Sequence, residues 1–170
     1  MSYMSAIGFE HARLVHMDRG TRQWVSVKVF RIDPGASTPE LLAALLAHRQ
    51  YRDHYAGGLP EEQGEHRMHG PYRLECITLD SFRPIETEGA VATVRGWAAA
   101  GKPVSARTQR DLDMLVYPAL ATPELYELSD LHSTAEHDWG WVVGHLAGFH
   151  ELIAIDRIRC SLALLVASDD

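Results

Sequence analysis

The chain has 170 residues, 46% hydrophobic and 23% charged, the composition of an ordinary globular protein with enough length for one domain and a real core. Sixteen basic against 23 acidic residues give a formal net charge of -7, which argues against nucleic acid or an anionic membrane surface as a partner. No apolar run approaches the roughly 20 residues of a membrane helix. The opening MSYMSAIGFE also lacks the basic start and apolar stretch of a secretion signal. Cys76 and Cys160 then read as free, reduced thiols, and the expected location is the cytoplasm.

Taken in order, residues 11–17 and 24–31 predict a first hairpin that turns at Asp18-Arg19-Gly20-Thr21. Val25, Val27 and Val29 alternate with Ser26, Lys28 and Phe30, so one face is buried and the other mixed. Asp33-Pro34-Gly35-Ala36-Ser37 reads as a turn. Thr38-Pro39-Glu40-Leu41 follows with a capping hydroxyl, an early Pro and a first-turn acid, predicting a helix through about Arg52. The same tetrapeptide recurs at Thr122-Pro123-Glu124-Leu125, where a short helical piece is predicted by the same capping physics. Residues 56–71 are rich in Gly, Pro and charge and predict an exposed loop, of a length that is often functional.

Residues 72–79 predict a strand. Thr87 predicts a helix cap, with the helix running to Ala100 and closed by Gly101 and Pro103. Ser105 caps another over residues 106–117, ended by Pro118. Ser133-Thr134-Ala135-Glu136 has the form of a capping box. A helix starting there would be weakened by Gly140, Gly144 and Gly148, so a Gly-rich loop competes with it. Last comes a hairpin of residues 150–157 and 161–168, apolar on both faces and therefore expected at the centre of a covered sheet. Strand alternation places His150 with Leu152 and Glu151 with Ile153, on opposite faces.

The expectation is a single α+β domain spanning 1–170. It has a mostly antiparallel sheet of about five strands (N-terminal and C-terminal hairpins plus one middle strand), with three to four helices packed on it.

Candidate chemistry concentrates near the C-terminus. His137 and His145 fall on one helical stripe with Trp141, and Asp138 adjoins them. A neutral imidazole can act as general base, so His137, Asp138 and His145 form a candidate catalytic group for a metal-assisted or His/acid-assisted hydrolase. Trp139, Trp141, Phe149 and His150 form a candidate ligand-binding group, since clustered aromatics line pockets and interfaces. His137 and His145, together with His66 and His69 at His-x-x-His spacing, are candidate ligands for a transition metal such as zinc. Against these readings stand ordinary roles: solvated loop histidines, and half-buried histidines beside Trp141.

Dinucleotide and phosphate-loop glycine patterns, zinc-protease helices and nucleophile elbows are all missing from the sequence. That leaves a ligand-binding or protein-interaction module without catalytic activity as the leading expectation. The hydrolase is the alternative. A self-associating protein, with a homodimer burying Trp24 or Trp139, is the third reading.

Overall fold

The computed structural model describes residues 5–18, 20–53, 55, 68–100, 102–131 and 148–169. Its centre is a six-stranded antiparallel sheet with the spatial order β1-β2-β8-β7-β6-β5. The strands are β1 (Ile7–His16), β2 (Gln23–Ile32), β5 (Phe82–Pro84), β6 (Glu124–Leu128), β7 (His150–Asp156) and β8 (Ser161–Asp169). A separate two-stranded ribbon joins β3 (Met68–His69) to β4 (Tyr72–Arg73). The helices are α1 (Thr38–Ala47), α2 (Thr87–Ala99) and α3 (Ala106–Leu115). The fold is therefore α+β, with one main-sheet strand more than the composition of the sequence suggests.

Both faces of the sheet are covered. On one, Phe30, Ile153, Ile155, Leu162 and Leu164 pack with Leu41, Leu42 and Leu45 of α1. On the other, Val25, Val27, Leu152 and Leu165 pack with Val94 and Trp97 of α2 and Leu112 of α3. The expected alternation holds in the register: Ile153 lies beside Leu164, and Leu152 beside Leu165. This is why β7 and β8 are apolar on both sides, as central strands must be when helices cover both faces. Among the described residues no helix is long and apolar enough to cross a membrane.

Four local expectations are corrected. The first helix is capped by Ser37, not Thr38: its hydroxyl accepts from the Glu40 amide, while the Glu40 carboxylate accepts from the Ser37 amide at 2.7 Å. The second Thr-Pro-Glu-Leu leads into a strand, with Thr122 and Pro123 preceding β6 and Glu124 and Leu125 opening it. Ala121 stands where Ser37 stands in the first copy, so no capping box can form, and the Thr122 hydroxyl donates instead to the Ile155 carbonyl at 2.7 Å. The predicted strand 72–79 survives only as Tyr72–Arg73, followed by 3-10 turns at Leu74–Cys76 and Leu79–Ser81. At Thr87 the hydroxyl donates to the Leu120 carbonyl and does not cap α2, whose N-cap is Glu86.

Arg157, in the β7–β8 turn, ties the two tetrapeptides together. It donates to Glu124 Oε2 at 2.8 Å, to the Thr38 hydroxyl at 3.1 Å, and to the carbonyls of Pro34 and Ala36. The fork of a guanidinium suits such a node, because it offers five donors in fixed directions. Arg157, first of all through its hydrogen bonds, holds the Glu124 carboxyl below its ordinary value.

Candidate functional site

The polar centre of the molecule is built around one carboxylate. Glu151 lies on central strand β7, on the face it shares with Ile153, and is only 2% exposed. A buried carboxylate needs its oxygens satisfied. Tyr51, in the 3-10 turn Arg49–Tyr51 after α1, donates its hydroxyl to Oε1 at 3.0 Å. His69, at the tip of β3, meets Oε2 through Nε2 at 2.6 Å. Its Nδ1 lies 2.6 Å from the Tyr51 carbonyl oxygen.

That last contact fixes the tautomer. A carbonyl oxygen only accepts, so Nδ1 carries a hydrogen, and Nε2 and Oε2 share one proton between them. The His69 ring lies flat on the Tyr51 ring, with centroids 3.7 Å apart and planes 4° apart. Tyr55 and Phe149 stand nearly perpendicular to the His69 ring, with centroids 5.7 and 5.8 Å away. Burial, with the Glu151 carboxylate next, raises the Tyr51 hydroxyl well above its ordinary value. Burial followed by Asp53 does the same for Tyr55.

A second tie anchors the same segment. Lys28 of β2 is buried and donates to Asp53 at 2.8 Å and to the Gln50 carbonyl at 2.7 Å. Asp53 in turn accepts from the Tyr55 amide, and its carbonyl accepts from Gly70. Segment 48–53 and the β3–β4 ribbon are thereby clamped to the sheet at Lys28 and Glu151.

Beside this cluster, at the end of the sheet where β6 stops and β7 begins, lies a cavity of about 600 Å³. Its described walls include Tyr72, Trp97, Asp130, Phe149, His150 and Glu151. The C-terminal half of α2 forms one side and contributes Gly96, where an added Cβ would meet nothing within 4 Å. Burial pushes the Tyr72 hydroxyl up to about 12. Although His150 and Glu151 point to opposite faces, both border this cavity, because it wraps around the end of the sheet. Opposite strand faces did not keep them apart as the alternation alone suggested.

The sequence candidates are distributed as follows. Phe149 and His150 line the cavity. His69 is wholly buried, with both ring nitrogens engaged by Tyr51 and Glu151. His66, His137, Asp138, Trp139, Trp141 and His145 lie outside the described residues, as does most of the loop 56–71. Among the described residues no group of three or more His, Cys, Asp or Glu side chains could hold a metal ion. Trp24 is 4% exposed and stacked on Tyr55, so it is a core residue and not an interface residue. Cys76 and Cys160 are both free.

Sequence reasoning missed Glu151 as the hub and Tyr51 and Lys28 as its company. One signal was present: Glu151 is a lone charge on an otherwise apolar strand face, and a charge so placed must find a partner. Comparison with protein-family models, with curated proteins and with solved structures finds no match.

Proposed function

We propose that the chain is a cytosolic small-molecule-binding domain without catalytic activity of its own, and that the cavity at the end of β6 and β7 is its ligand site. The observation that carries this is the cavity itself. About 600 Å³, walled by aromatic rings and a few polar side chains beside a clamped polar core, fits the usual dimensions and make-up of a small-molecule site. Tyr72 and Phe149 offer ring surfaces, and Asp130 adds a carboxylate to the wall, while Glu151 is held by Tyr51 and His69. Arg83, which also borders the cavity, is already bonded to Glu127. The ligand class favoured is therefore a neutral or cationic molecule with an aromatic or apolar body. The net charge of -7 and the two free cysteines support a cytosolic protein that does not bind nucleic acid.

The test is thermal melting of the protein against matched aromatic amines and aromatic carboxylates, repeated with Gly96→Leu. The new side chain enters open space in the cavity, and replacing a helical glycine stabilises α2 by about 0.5–1 kcal/mol. The amines should raise the melting temperature of the native protein and leave the occluded variant unmoved. The proposal is refuted if no compound shifts the native protein, or if the shift persists in Gly96→Leu.

A further inference from the structure

We infer that strand β1 is a docking edge for a second copy of this chain, forming a two-fold dimer through antiparallel β1–β1 pairing. The sheet has two outer strands, and they differ. β5 has three residues and ends in Pro84, a short edge that cannot extend the ladder. β1 has ten residues, and residues 9–14 have their side chains in solvent. Such a strand presents a row of outward backbone donors and acceptors that invites another strand.

The side chains identify the occupant. Partners in β2 assign each β1 residue to a face. Ile7, Phe9, Ala12, Leu14 and His16 lie on the α1 side, and Gly8, His11, Arg13 and Val15 on the α2 side. A bulge at Glu10 lets Glu10 and His11 together oppose one residue.

Place a two-fold axis at Ala12, so that Ala12 meets Ala12 of the second copy. Counting outwards through the bulge, Glu10 and His11 then oppose Arg13. Phe9 opposes Leu14, Gly8 opposes Val15, and Ile7 opposes His16. Every opposed pair lies on one face, as an antiparallel ladder requires. Phe9 and Leu14 are 39% and 55% exposed, two of the few large apolar side chains in solvent among the described residues, and this register covers one with the other. Glu10 meets Arg13 with opposite charge. Among the described residues neither makes an ion pair within its own chain. Small Ala12 at the axis leaves room for the two backbones to approach. The edge is complementary to itself in shape parity, in apolar contact and in charge.

The test is sedimentation of the full chain from about 10 μM to about 1 mM, since a single-strand edge buries less than a standard interface and binds weakly. The native chain should show a monomer–dimer equilibrium. E10R and R13E each set like charges opposite one another twice in the dimer, so each should weaken association about tenfold at low salt. Mixing the two variants restores opposite charges at both places and should recover the native affinity. All three proteins should melt alike, because both positions are exposed. A native chain that stays monomeric to 1 mM overturns the inference. So does a dimer that ignores both substitutions, or a mixture that associates no better than either variant alone.

Discussion

Replacing Glu151 with Ala removes the acceptor for two buried donors at once. The Tyr51 hydroxyl and the His69 Nε2 site are both sealed from water, so neither finds a substitute. Each buried polar group left unpaired costs about 1–3 kcal/mol, and the lost side-chain volume on a packed strand adds about 1 kcal/mol more. The expected loss is therefore about 3–7 kcal/mol, a large part of the roughly 5–15 kcal/mol that holds a domain together. Glu151→Gln separates hydrogen bonding from charge. Its carbonyl can accept from Tyr51, and its amide can donate to a neutral imidazole whose hydrogen sits on Nδ1, the tautomer that the Tyr51 carbonyl already imposes. The Gln variant should lose no more than about 1.5 kcal/mol. Urea unfolding of the three proteins at neutral pH reads both numbers. A loss below about 2 kcal/mol for Ala would show that the cluster is not the clamp described above. Equal losses for Gln and Ala would show that charge, and not the count of hydrogen bonds, holds His69.

Two other perturbations address the frame around the site. Asp18 accepts from the Ser105 hydroxyl, the Thr108 hydroxyl and the Ser105 amide, and these bonds lower its pKa from 3.8 to about 2. The folded value is the lower one, so the contribution is present above pH 3.8 and is lost as the pH falls towards 2. The stability gap between native protein and Asp18→Asn should narrow over that interval in urea titrations, and a constant gap would contradict the assignment. Gly70 has φ +52, and an added Cβ would sit 2.3 Å from Phe149 Cε2. Gly70→Ala should therefore cost more than about 2 kcal/mol, from backbone strain together with a displaced ring. A loss under about 1 kcal/mol in the same assay would mean that the ribbon does not pack on Phe149 as described.

The class of fold was legible because hairpins and amphipathic helices are local. Residues 150–157 and 161–168 announce a central pair through apolar side chains on both faces, and the register pairs them accordingly. Ser105 caps α3 as expected, its hydroxyl accepting from the Thr108 amide. What local pattern could not give was the fate of the second Thr-Pro-Glu-Leu. Identical residues form a helix at 38–41 and lead into a strand at 124–128, because one copy is preceded by Ser37 and the other by Ala121, and because β7 offers the second an open edge. Propensity was equal, and the neighbours decided. The strand expected over 72–79 failed for a related reason: its alternation is correct, but among the described residues β4 pairs only with two-residue β3, and the chain then closes into 3-10 turns.

The site was legible as a question and not as an answer. Strand alternation put Glu151 on a buried face, and a carboxylate there demands donors. Nothing local says which donors. Tyr51 is 100 residues away and His69 is 82 residues away, and each arrives by a different route, one on the turn after α1 and one on a two-residue strand. Sequence reading paired His69 with His66 because three residues separate them, and a metal is what such spacing suggests. In the fold His69 meets a carboxylate on a distant strand. His69 turns one nitrogen to Glu151 and the other to a backbone carbonyl, which commits both before any ligand arrives. The committed pair holds segment 48–53 and the β3–β4 ribbon against the sheet, beside the cavity that Tyr72, Phe149 and His150 line.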